Sequence, residues 1–380
     1  MAPVRKKNLY HLRPTVAQID LSAISYNLEG ISKKAGAATK IMAVVKANAY
    51  GHGAGPVARS IEKKYADYFG VAIVEEGIAL REAGVTKPIL VFTPPQKRQV
   101  HAFVDYGLEA TVSSVQDAEI LESAGSRLRK TIEVHLKLET GMNRLGMKQK
   151  DLDSALSAVA AMRRVGIKGA FTHFATADDR DKTFTLQQFE VFQNSLSILR
   201  RNGVDPDLIH CANSAAILEF PQMSCSMVRP GISMYGHYPS RQLSRSVPLR
   251  PAMSFMTTIA FVKSIDAGES VSYGRRFVAS KRTRIATLPV GYADGYSRLL
   301  TGKASVLVGG RRFPVVGTIC MDMIMVDVGD ADVAVGDEAI LMGRQNGQEI
   351  TCWDIAERVG TIPYEILCGI SARVPRIYTK

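Results

Sequence analysis

The sequence is poor in cysteine and has no long apolar run. Its five cysteines are widely spaced and form no CxxC pair, so we expect neither a disulfide framework nor a zinc site. No apolar run approaches the ~20 residues that a membrane span needs. The basic amino-terminal segment lacks the apolar core of a secretory signal peptide. These absences predict a protein of the reducing cytoplasm, without a bound metal and without membrane contact.

A nucleic-acid-binding pattern is also missing. The net charge is +12, but the basic residues are dispersed in short clusters, and aromatic residues do not alternate with them as in single-strand binders. We expect no nucleic-acid partner, although the charge can steer anionic ligands to the surface. The hydrophobic content of 46% and the charged content of 22% are those of a globular protein.

Short apolar runs alternate with segments of helical periodicity in the first part of the chain. The runs that we predict to be strands are Ile41–Val45, Phe69–Ile73, Ile89–Phe92, Leu108–Val112, Ile132–Leu138, Ile167–Thr172, Leu208–His210 and Met227–Val228. The helical segments between them include Ala54–Lys64, Glu75–Ala83, Ser114–Ala124, Leu152–Met162 and Thr185–Arg201. Strands that alternate with helices form parallel sheets, and eight such strands suit a closed (β/α)8 barrel. The alternative is an open doubly wound sheet, which is less favoured because no GxGxxG motif follows a strand.

The pattern changes after Tyr238, where a proline-punctuated region leads into short strands with turn signals. The predicted elements there are Ser305–Val308, Phe313–Val316, Met323–Val328, Glu338–Met342 and the helix Trp353–Val359. Gly309-Gly310 lies between the first two of these strands, which is typical of a hairpin. A chain of 380 residues exceeds one ordinary domain. We therefore predict a strand within residues 1–20, a barrel over residues 21–240 and a mainly-β domain over residues 241–380.

A lysine stands where the first predicted barrel strand stops. Lysine is rarely buried without a partner, and burial would lower the pKa of Lys46 from its reference value of ~10.4. A neutral amine can attack an aldehyde and hold it as a Schiff base. The alternative is that Lys46 extends from the end of the strand to water.

Further polar residues follow later strands of the predicted barrel. They are Arg144, His173, Asn213, Ser214 and Arg229. Barrel enzymes carry their sites at the carboxyl ends of the strands, and the last loops commonly bind phosphate. Ser214 and the backbone N–H groups of Gly231 and Ile232 suit a phosphate, although a structural arginine or a plain Pro230-Gly231 turn would give the same residues. A lysine, a phosphate site and arginines together indicate pyridoxal phosphate as the cofactor.

Several stretches in this order resemble the alanine racemase family, a barrel class of pyridoxal-phosphate enzymes. They are Val44–Gly53, Leu138–Gly146, Thr172–Ala175, Arg229–Gly236, Val271–Gly274, Gly291–Gly295, Cys320–Asp322 and Tyr364–Arg376. The resemblance implies a (β/α)8 barrel followed by a mainly-β domain that the amino-terminal strand joins. It also implies a head-to-tail homodimer in which each active site borrows residues from the partner's β-domain.

The resemblance also implies roles for individual residues. Lys46 and Tyr273 resemble the two catalytic bases, with Tyr273 supplied by the other subunit. The residues that resemble cofactor contacts are Lys46, Tyr50, Arg144, His173, Ser214, Arg229, Gly231 and Ile232. Those that resemble substrate contacts are Arg144, Met321 and Tyr292, of which Met321 is supplied by the other subunit and Tyr292 lines the entrance. Lys137 matches a lysine that is carbamylated in many members, although an ordinary ion-paired lysine is the alternative.

These residue types suit the inversion of a Cα centre. One base must remove a proton on one face and another must deliver a proton on the opposite face, and each needs a pKa near working pH. Lys46 can serve one face. Tyr273 can serve the other if cationic neighbours, His173 with Arg229 behind it, lower the pKa of its phenol from ~10. Arg229 cannot accept a proton, so a pyridine nitrogen opposite it stays neutral.

We therefore expect interconversion of L- and D-alanine by proton transfer between two bases, for cell-wall supply or for alanine catabolism. Many members of the family carry a tyrosine where this chain has Ala372. A racemase of the same family that accepts both alanine and serine is therefore an alternative. Thr318 replaces an arginine that some members use at the entrance, so the resemblance does not extend to the pairing of that arginine with Asp178. A barrel decarboxylase would place an acid where Arg229 stands. A non-enzymatic pyridoxal-phosphate carrier would lack the domain that bears Tyr273.

Overall fold

The computed structural model describes residues 12–380, which form two compact units. The barrel unit contains Ser22–Ala49 and Gly53–Arg250, and the β unit contains residues 12–21, Tyr50–His52 and Pro251–Lys380. Residues 1–11 of the predicted amino-terminal segment lie outside the described residues. The predicted fold class, a (β/α)8 barrel followed by a mainly-β region, is confirmed.

The strands are numbered in chain order. They are β1 Val16–Asp20, β2 Lys40–Val44, β3 Tyr68–Val71, β4 Ile89–Val91, β5 Glu109–Val112, β6 Ile132–Glu139, β7 Met147–Lys148, β8 Val165–Phe171, β9 Leu208–His210, β10 Met227–Val228, β11 Met253–Thr258, β12 Phe261–Ile265, β13 Ser270–Val271, β14 Phe277–Val278, β15 Thr283–Leu288, β16 Ser305–Val308, β17 Arg311–Val316, β18 Ile324–Gly329, β19 Glu338–Gln345, β20 Gln348–Ile350 and β21 Arg376–Thr379.

The α-helices among the described residues are Leu21–Ala35, Ala54–Ile61, Val74–Glu82, Val100–Asp105, Val115–Leu128, Leu152–Ala160, Thr183–Arg201, Ser214–Glu219, Cys352–Val359 and Pro363–Gly369. Short 3-10 helices are Gln149–Asp151, Pro221–Met223, Ile232–Tyr235, Tyr273–Arg275, Tyr292–Asp294 and Arg298–Leu300. No helix within residues 12–380 combines the length and the apolar character that crossing a membrane requires. The same residues contain no group of three or more His, Cys, Asp or Glu side chains arranged to hold a metal ion.

The barrel consists of parallel strands in the order β10-β2-β3-β4-β5-β6-β8-β9. Strands β3, β4 and β5 are buried along their whole length, because helices cover their outer faces and side chains fill the interior. The Ser226 N–H donates to the Ile209 carbonyl at 3.1 Å, which joins the ends of β9 and β10 and nearly closes the circle. One buried cluster of the interior contains Met42, Tyr68, Leu90, Phe171, Leu208 and Met227.

The β unit contains a sheet in the order β12-β15-β18-β17-β16-β19-β11-β1-β21. Strand β1 lies between two partners of this unit, antiparallel to β11 and parallel to β21. The predicted hairpin is confirmed, since β16 and β17 pair around Gly309-Gly310. Both glycines have positive φ, 59° and 81°, as a two-residue turn of type I′ requires.

Candidate active site

The segment after β2 has a left-handed backbone. Lys46 follows the end of β2 by two residues, and the next four residues, 47–50, have φ between 51° and 55°. Each non-glycine residue in this conformation costs about 1–2 kcal/mol. Two side chains secure the turn: Glu76 accepts from the Ala47 N–H at 2.5 Å, and Asn48 accepts from the Ala54 N–H at 2.8 Å. Backbone strain is therefore concentrated beside the candidate lysine, as is common at functional sites.

Replacing Asn48 by valine should destabilise the protein by about 2 kcal/mol. A β-branched side chain tolerates positive φ poorly, and the hydrogen bond to Ala54 is lost. Asn48→Gly is the matched control, because it removes the same hydrogen bond while glycine accepts the backbone conformation. Urea unfolding of both variants separates the two contributions. Equal destabilisation by valine and glycine would show that the left-handed turn stores no strain.

The end of β2 is joined to the loop that follows β10. The Val44 N–H donates to the Pro230 carbonyl at 3.1 Å, and the Tyr235 hydroxyl donates to the Val44 carbonyl at 2.9 Å. These bonds fix the start of the Lys46 turn against the segment that contains Gly231 and Ile232. The carboxyl ends of the first and last barrel strands are thus held side by side.

Several hydrogen-bond donors converge on Ser214 at the carboxyl ends of the barrel strands. The Ser214 Oγ accepts from the Gly231 N–H at 2.9 Å, from the Ser233 N–H at 3.3 Å and from the Ser233 hydroxyl at 3.0 Å. Several donors directed at one oxygen acceptor suit an anionic oxygen equally well. Gly231 and Ile232 are buried, so the backbone around this position is well defined. The donor set fits a phosphate group.

Arg229, which follows β10, is buried and makes five hydrogen bonds. It donates to the carbonyl oxygens of Thr172, His210 and Cys211 at 2.7, 2.7 and 3.1 Å. It also donates to the Nδ1 atoms of His210 and His173 at 2.9 and 3.2 Å. Burial lowers the pKa of Arg229 to about 10, so the guanidinium remains charged at neutral pH.

The contact with Arg229 determines the state of His173. An arginine can only donate, so the Nδ1 atom of His173 accepts and its Nε2 atom carries the proton. Desolvation, followed by the charges of Arg229 and Arg144, lowers the pKa of His173 well below its ordinary value. The expectation that His173 acts as a cation is therefore wrong: it is a neutral imidazole that offers one N–H group.

Lys137 and Arg144 lie at the end of β6 and beyond it. The Lys137 Nζ atom donates to the Leu138 carbonyl at 2.9 Å. Burial lowers the pKa of Lys137 to about 8; Arg229 and Arg144 act in the same direction, and Glu139 opposes them. A substantial fraction of this buried amine is therefore neutral near pH 8. The side chain of Arg144 is exposed.

The other candidate residues lie in the β unit. Tyr273 is 72% exposed, and Met321 and Tyr292 are 52% and 41% exposed. Thr318 is buried and its hydroxyl donates to the Tyr273 carbonyl at 2.7 Å, so Thr318 supports the backbone at Tyr273. A cleft of about 550 Å³ surrounds this segment. Its lining includes Tyr273, Cys320, Met321, Asp322 and Met323.

Sequence reasoning did not identify His210, Glu76 or Glu109. His210 lies at the end of β9 and contacts Arg229, Glu76 secures the Lys46 turn, and Glu109 is a buried carboxylate in a barrel strand. For His210 and Glu109 the sequence signal is a polar residue within or beside an apolar run. Such a residue attracts notice only when its partners on other strands are known.

A parallel barrel with a lysine after its first strand, followed by a mainly-β unit, is the arrangement expected of a barrel-type amino-acid racemase. Family models for the alanine racemase N-terminal and C-terminal domains match residues 19–239 and 252–378. The chain is 43% identical to the alanine racemase of Halothermothrix orenii over 367 residues, which is 96% of this chain and 97% of that protein. It is 44% identical to the alanine racemase of Symbiobacterium thermophilum over 368 residues, 97% of each chain.

Solved structures give the same result. The alanine racemase of Clostridium difficile 630 superposes with a TM-score of 0.92 at 38% identity, covering 96% of each chain. That of Bacillus anthracis with bound L-Ala-P has a TM-score of 0.92 at 36% identity and covers 97% of this chain and 95% of its own. The chain belongs to the alanine racemase family. It is an isomerase that interconverts L- and D-alanine, and the resemblance seen in the sequence is confirmed, whereas the decarboxylase and carrier alternatives are not favoured.

Proposed function

We propose that this chain racemises alanine with pyridoxal phosphate bound at Lys46, as a homodimer whose subunits share their active sites. Three hydrogen bonds support this most: Val44 N–H to the Pro230 carbonyl, Gly231 N–H to the Ser214 Oγ, and Arg229 to the His173 Nδ1 atom. Together they bring a lysine turn, a donor set that fits phosphate and a buried charged arginine to the carboxyl ends of neighbouring strands.

Each part of this site would hold one part of the cofactor. The Lys46 amine would hold the aldehyde carbon, and Arg229 would face the ring nitrogen without accepting a proton from it. Tyr50, Ser214 and the N–H groups of Gly231 and Ile232 would bind the phosphate. Pyridoxal phosphate would supply an electron-accepting ring that makes the Cα proton of the substrate easier to remove. Arg144 and the backbone N–H of the partner subunit's Met321 would position the substrate carboxylate, and Tyr292 would line the entrance.

The two bases would act on opposite faces of the substrate. Lys46 moves the proton on one face, and the partner subunit's Tyr273 moves it on the other. His173 contributes its neutral Nε2–H, which can donate to a phenol or phenolate oxygen. A donor that stabilises the deprotonated phenol makes proton removal by tyrosine easier.

The exposed apolar residues of the β unit support a homodimer. Among them, Tyr273, Met321 and Met323 line one cleft and are between 51% and 72% exposed. A group of this kind typically marks a protein–protein contact. The cysteines among the described residues are all free thiols, which suits a reducing cytoplasm. We place the reaction there.

Purified protein with added pyridoxal phosphate should convert L-alanine into D-alanine until the two are equal. Chiral chromatography of the reaction over time measures this directly. The same reaction started from D-alanine gives the reverse rate, and an equilibrium constant of one is required because the two enantiomers have equal free energy. Absence of D-alanine in the presence of the cofactor would refute the proposal.

Ala372 should permit slow turnover of serine. Only a methyl group stands where many members of the family carry a tyrosine, so the pocket has room for a hydroxymethyl group. Ala372→Tyr should reduce the serine rate relative to the alanine rate and add a phosphate hydrogen bond worth about 0.5–1.5 kcal/mol. Chiral chromatography on both amino acids gives the ratio. Undetectable serine turnover in the unmodified protein would contradict this prediction.

Lys137 should carry a carbamate under bicarbonate. The neutral amine attacks the carbon of CO2, forms an N–C bond and releases one proton to water, which leaves one negative charge between Arg229 and Arg144. Because the pKa of Lys137 is about 8, the modification should increase as pH rises toward 8 and decline below it. Carbon NMR with ¹³C-bicarbonate detects the carbamate, and Lys137→Arg is the control. An identical signal in that variant would assign the carbamate to another amine.

A further inference from the structure

A buried line of hydrogen bonds crosses the barrel interior behind Arg229. The His210 Nδ1 atom is 2.9 Å from Arg229, and the His210 Nε2 atom is 2.8 Å from the Nδ1 atom of His135. The His135 Nε2 atom is 2.9 Å from Glu109, and the other oxygen of Glu109 accepts from Lys168 at 2.5 Å. Both histidines are fully buried, and Glu109 is 5% exposed. The line connects the active-site rim with a residue at the start of β5.

The partners fix the proton on each ring. Arg229 can only donate, so the His210 Nδ1 atom must accept and its Nε2 atom must carry the proton. That proton is donated to the His135 Nδ1 atom, which leaves the His135 Nε2–H to donate to Glu109. Every bond therefore runs in one direction, from Arg229 to the carboxylate, and both histidines are neutral. Burial would raise the pKa of Glu109, but the hydrogen bonds from His135 and Lys168 hold it below its ordinary value.

The barrel is built to accommodate this line. Gly169 on β8 lies where the His135 ring passes, and a Cβ atom at this position would overlap the His135 Nδ1 atom. The φ of Gly169 is not positive, so the space for the ring requires the glycine there. The His210 ring stacks on Phe171 with ring centroids 4.9 Å apart and an interplanar angle of 3°. Both imidazoles are thus held in one orientation.

We propose that Glu109 is a positioning residue for Arg229, which it holds through the fixed tautomers of His135 and His210. If Glu109 is removed, the His135 proton is free to move to Nδ1, and the His210 proton then moves to the nitrogen that faces Arg229. The His210 Nδ1–H and an Arg229 N–H would then face each other without an acceptor, and the guanidinium would lose one of its buried hydrogen bonds. The consequence for catalysis depends on the proposed function, in which Arg229 faces the ring of pyridoxal phosphate. The tautomers themselves do not depend on it.

Nitrogen NMR of ¹⁵N-histidine-labelled protein, with and without pyridoxal phosphate, tests the proposal. His135 and His210 are assigned by the signals that His135→Gln and His210→Gln remove. In the unmodified protein both rings should carry their proton on Nε2. A proton on the Nδ1 atom of His210 would overturn the proposal before any variant is made, whether or not the protein racemises alanine.

Two independent variants interrupt the line at different points. Glu109→Met removes the acceptor, and Gly169→Ala displaces His135 without changing Glu109. Each should shift the His210 proton toward Nδ1 and lower kcat about 10- to 100-fold, the effect of losing a hydrogen bond to a charged group. KM for alanine should stay within about twofold, because Arg229 does not bind the substrate carboxylate in the proposal. Glu109→Gln retains an acceptor oxygen and should recover part of kcat.

Matched controls separate positioning from general destabilisation. Glu133→Gln alters an exposed carboxylate on β6, and Gly166→Ala adds a methyl group on β8 whose three nearest neighbouring atoms all belong to the Glu133 side chain. Both controls should leave the histidine signals and kcat unchanged. A loss of kcat in Glu109→Met or Gly169→Ala with both tautomers unaltered would overturn the positioning role, as would altered tautomers with unchanged kcat. If the unmodified protein has the expected tautomers but forms no D-alanine, the proposed function fails and the hydrogen-bond line stands.

Discussion

Lys46→Ala should lower kcat/KM for alanine by about 10⁴-fold or more in either direction. The variant removes one of two bases, and general acid–base catalysis alone contributes about 10²- to 10⁴-fold. It also removes the amine that would hold the aldehyde of pyridoxal phosphate. The characteristic absorbance of the bound cofactor should therefore shift or disappear, and borohydride should no longer fix the cofactor to the protein.

Lys40→Ala is the matched control for this experiment. Lys40 is an exposed lysine at the start of the strand that Lys46 follows, so the same change in charge occurs on the same element but at its opposite end. We expect wild-type activity and absorbance from this variant. Borohydride fixation of the cofactor to a lysine other than Lys46 in the unmodified protein would contradict the assignment.

Tyr273→Phe should lower kcat/KM by about 10²- to 10⁴-fold, the contribution of one base. The loss differs in kind from that of Lys46→Ala, because the cofactor remains bound and one face of the substrate still has its base. In D2O we expect the variant to exchange the Cα proton of one enantiomer with retention while inversion is slow. Tyr106→Phe, which changes a half-buried tyrosine of the barrel unit, should have no effect. Equal loss of exchange from both enantiomers would contradict a one-face role for Tyr273.

Mixing the two inactive variants tests whether Tyr273 acts across subunits. A hybrid dimer of Lys46→Ala and Tyr273→Phe chains would contain one site with both defects and one site with both residues intact. Random reassociation makes about half of the dimers hybrid, so activity should return to roughly a quarter of the wild-type value. If Lys46 and Tyr273 of the same chain formed the site, no mixture would regain activity. The experiment thus decides between the two arrangements without a structure of the dimer.

The parts of the fold that sequence predicts best are the strands buried on both faces. Strands β9 and β10 have the predicted bounds, because a continuous apolar run permits little else. Strand β11 alternates between buried and half-buried residues, and β12 is mostly exposed; neither was predicted from the sequence. The strand before Lys46 also ends earlier than predicted, at Val44, because the strained turn begins immediately afterwards.

The chemistry of the site is less predictable than its composition. Lys46, Ser214 and Arg229 could be selected from the sequence because each follows a strand that the pattern predicts. The charge of His173 could not, since it depends on which atom of Arg229 faces which ring nitrogen. Glu109 and His210 are far apart along the chain and are connected only through His135 once the barrel has closed. Long-range hydrogen bonds of this kind leave no periodic trace in a sequence.

The position of β1 has a consequence for how the protein is made. Gln18 lies opposite both Ser254 of β11 and Ile377 of β21, so the first described strand takes one partner that is synthesised much later than the strand itself. The residues of the barrel unit, up to Arg250, emerge well before that moment, and domains generally fold as they are synthesised. We therefore expect the barrel to form first, whereas the sheet that contains β1 is completed only when β21 has been synthesised. Until then β1 can pair only with β11 and its other side is an open edge, and deletion of Arg376–Thr379 would leave that edge open permanently.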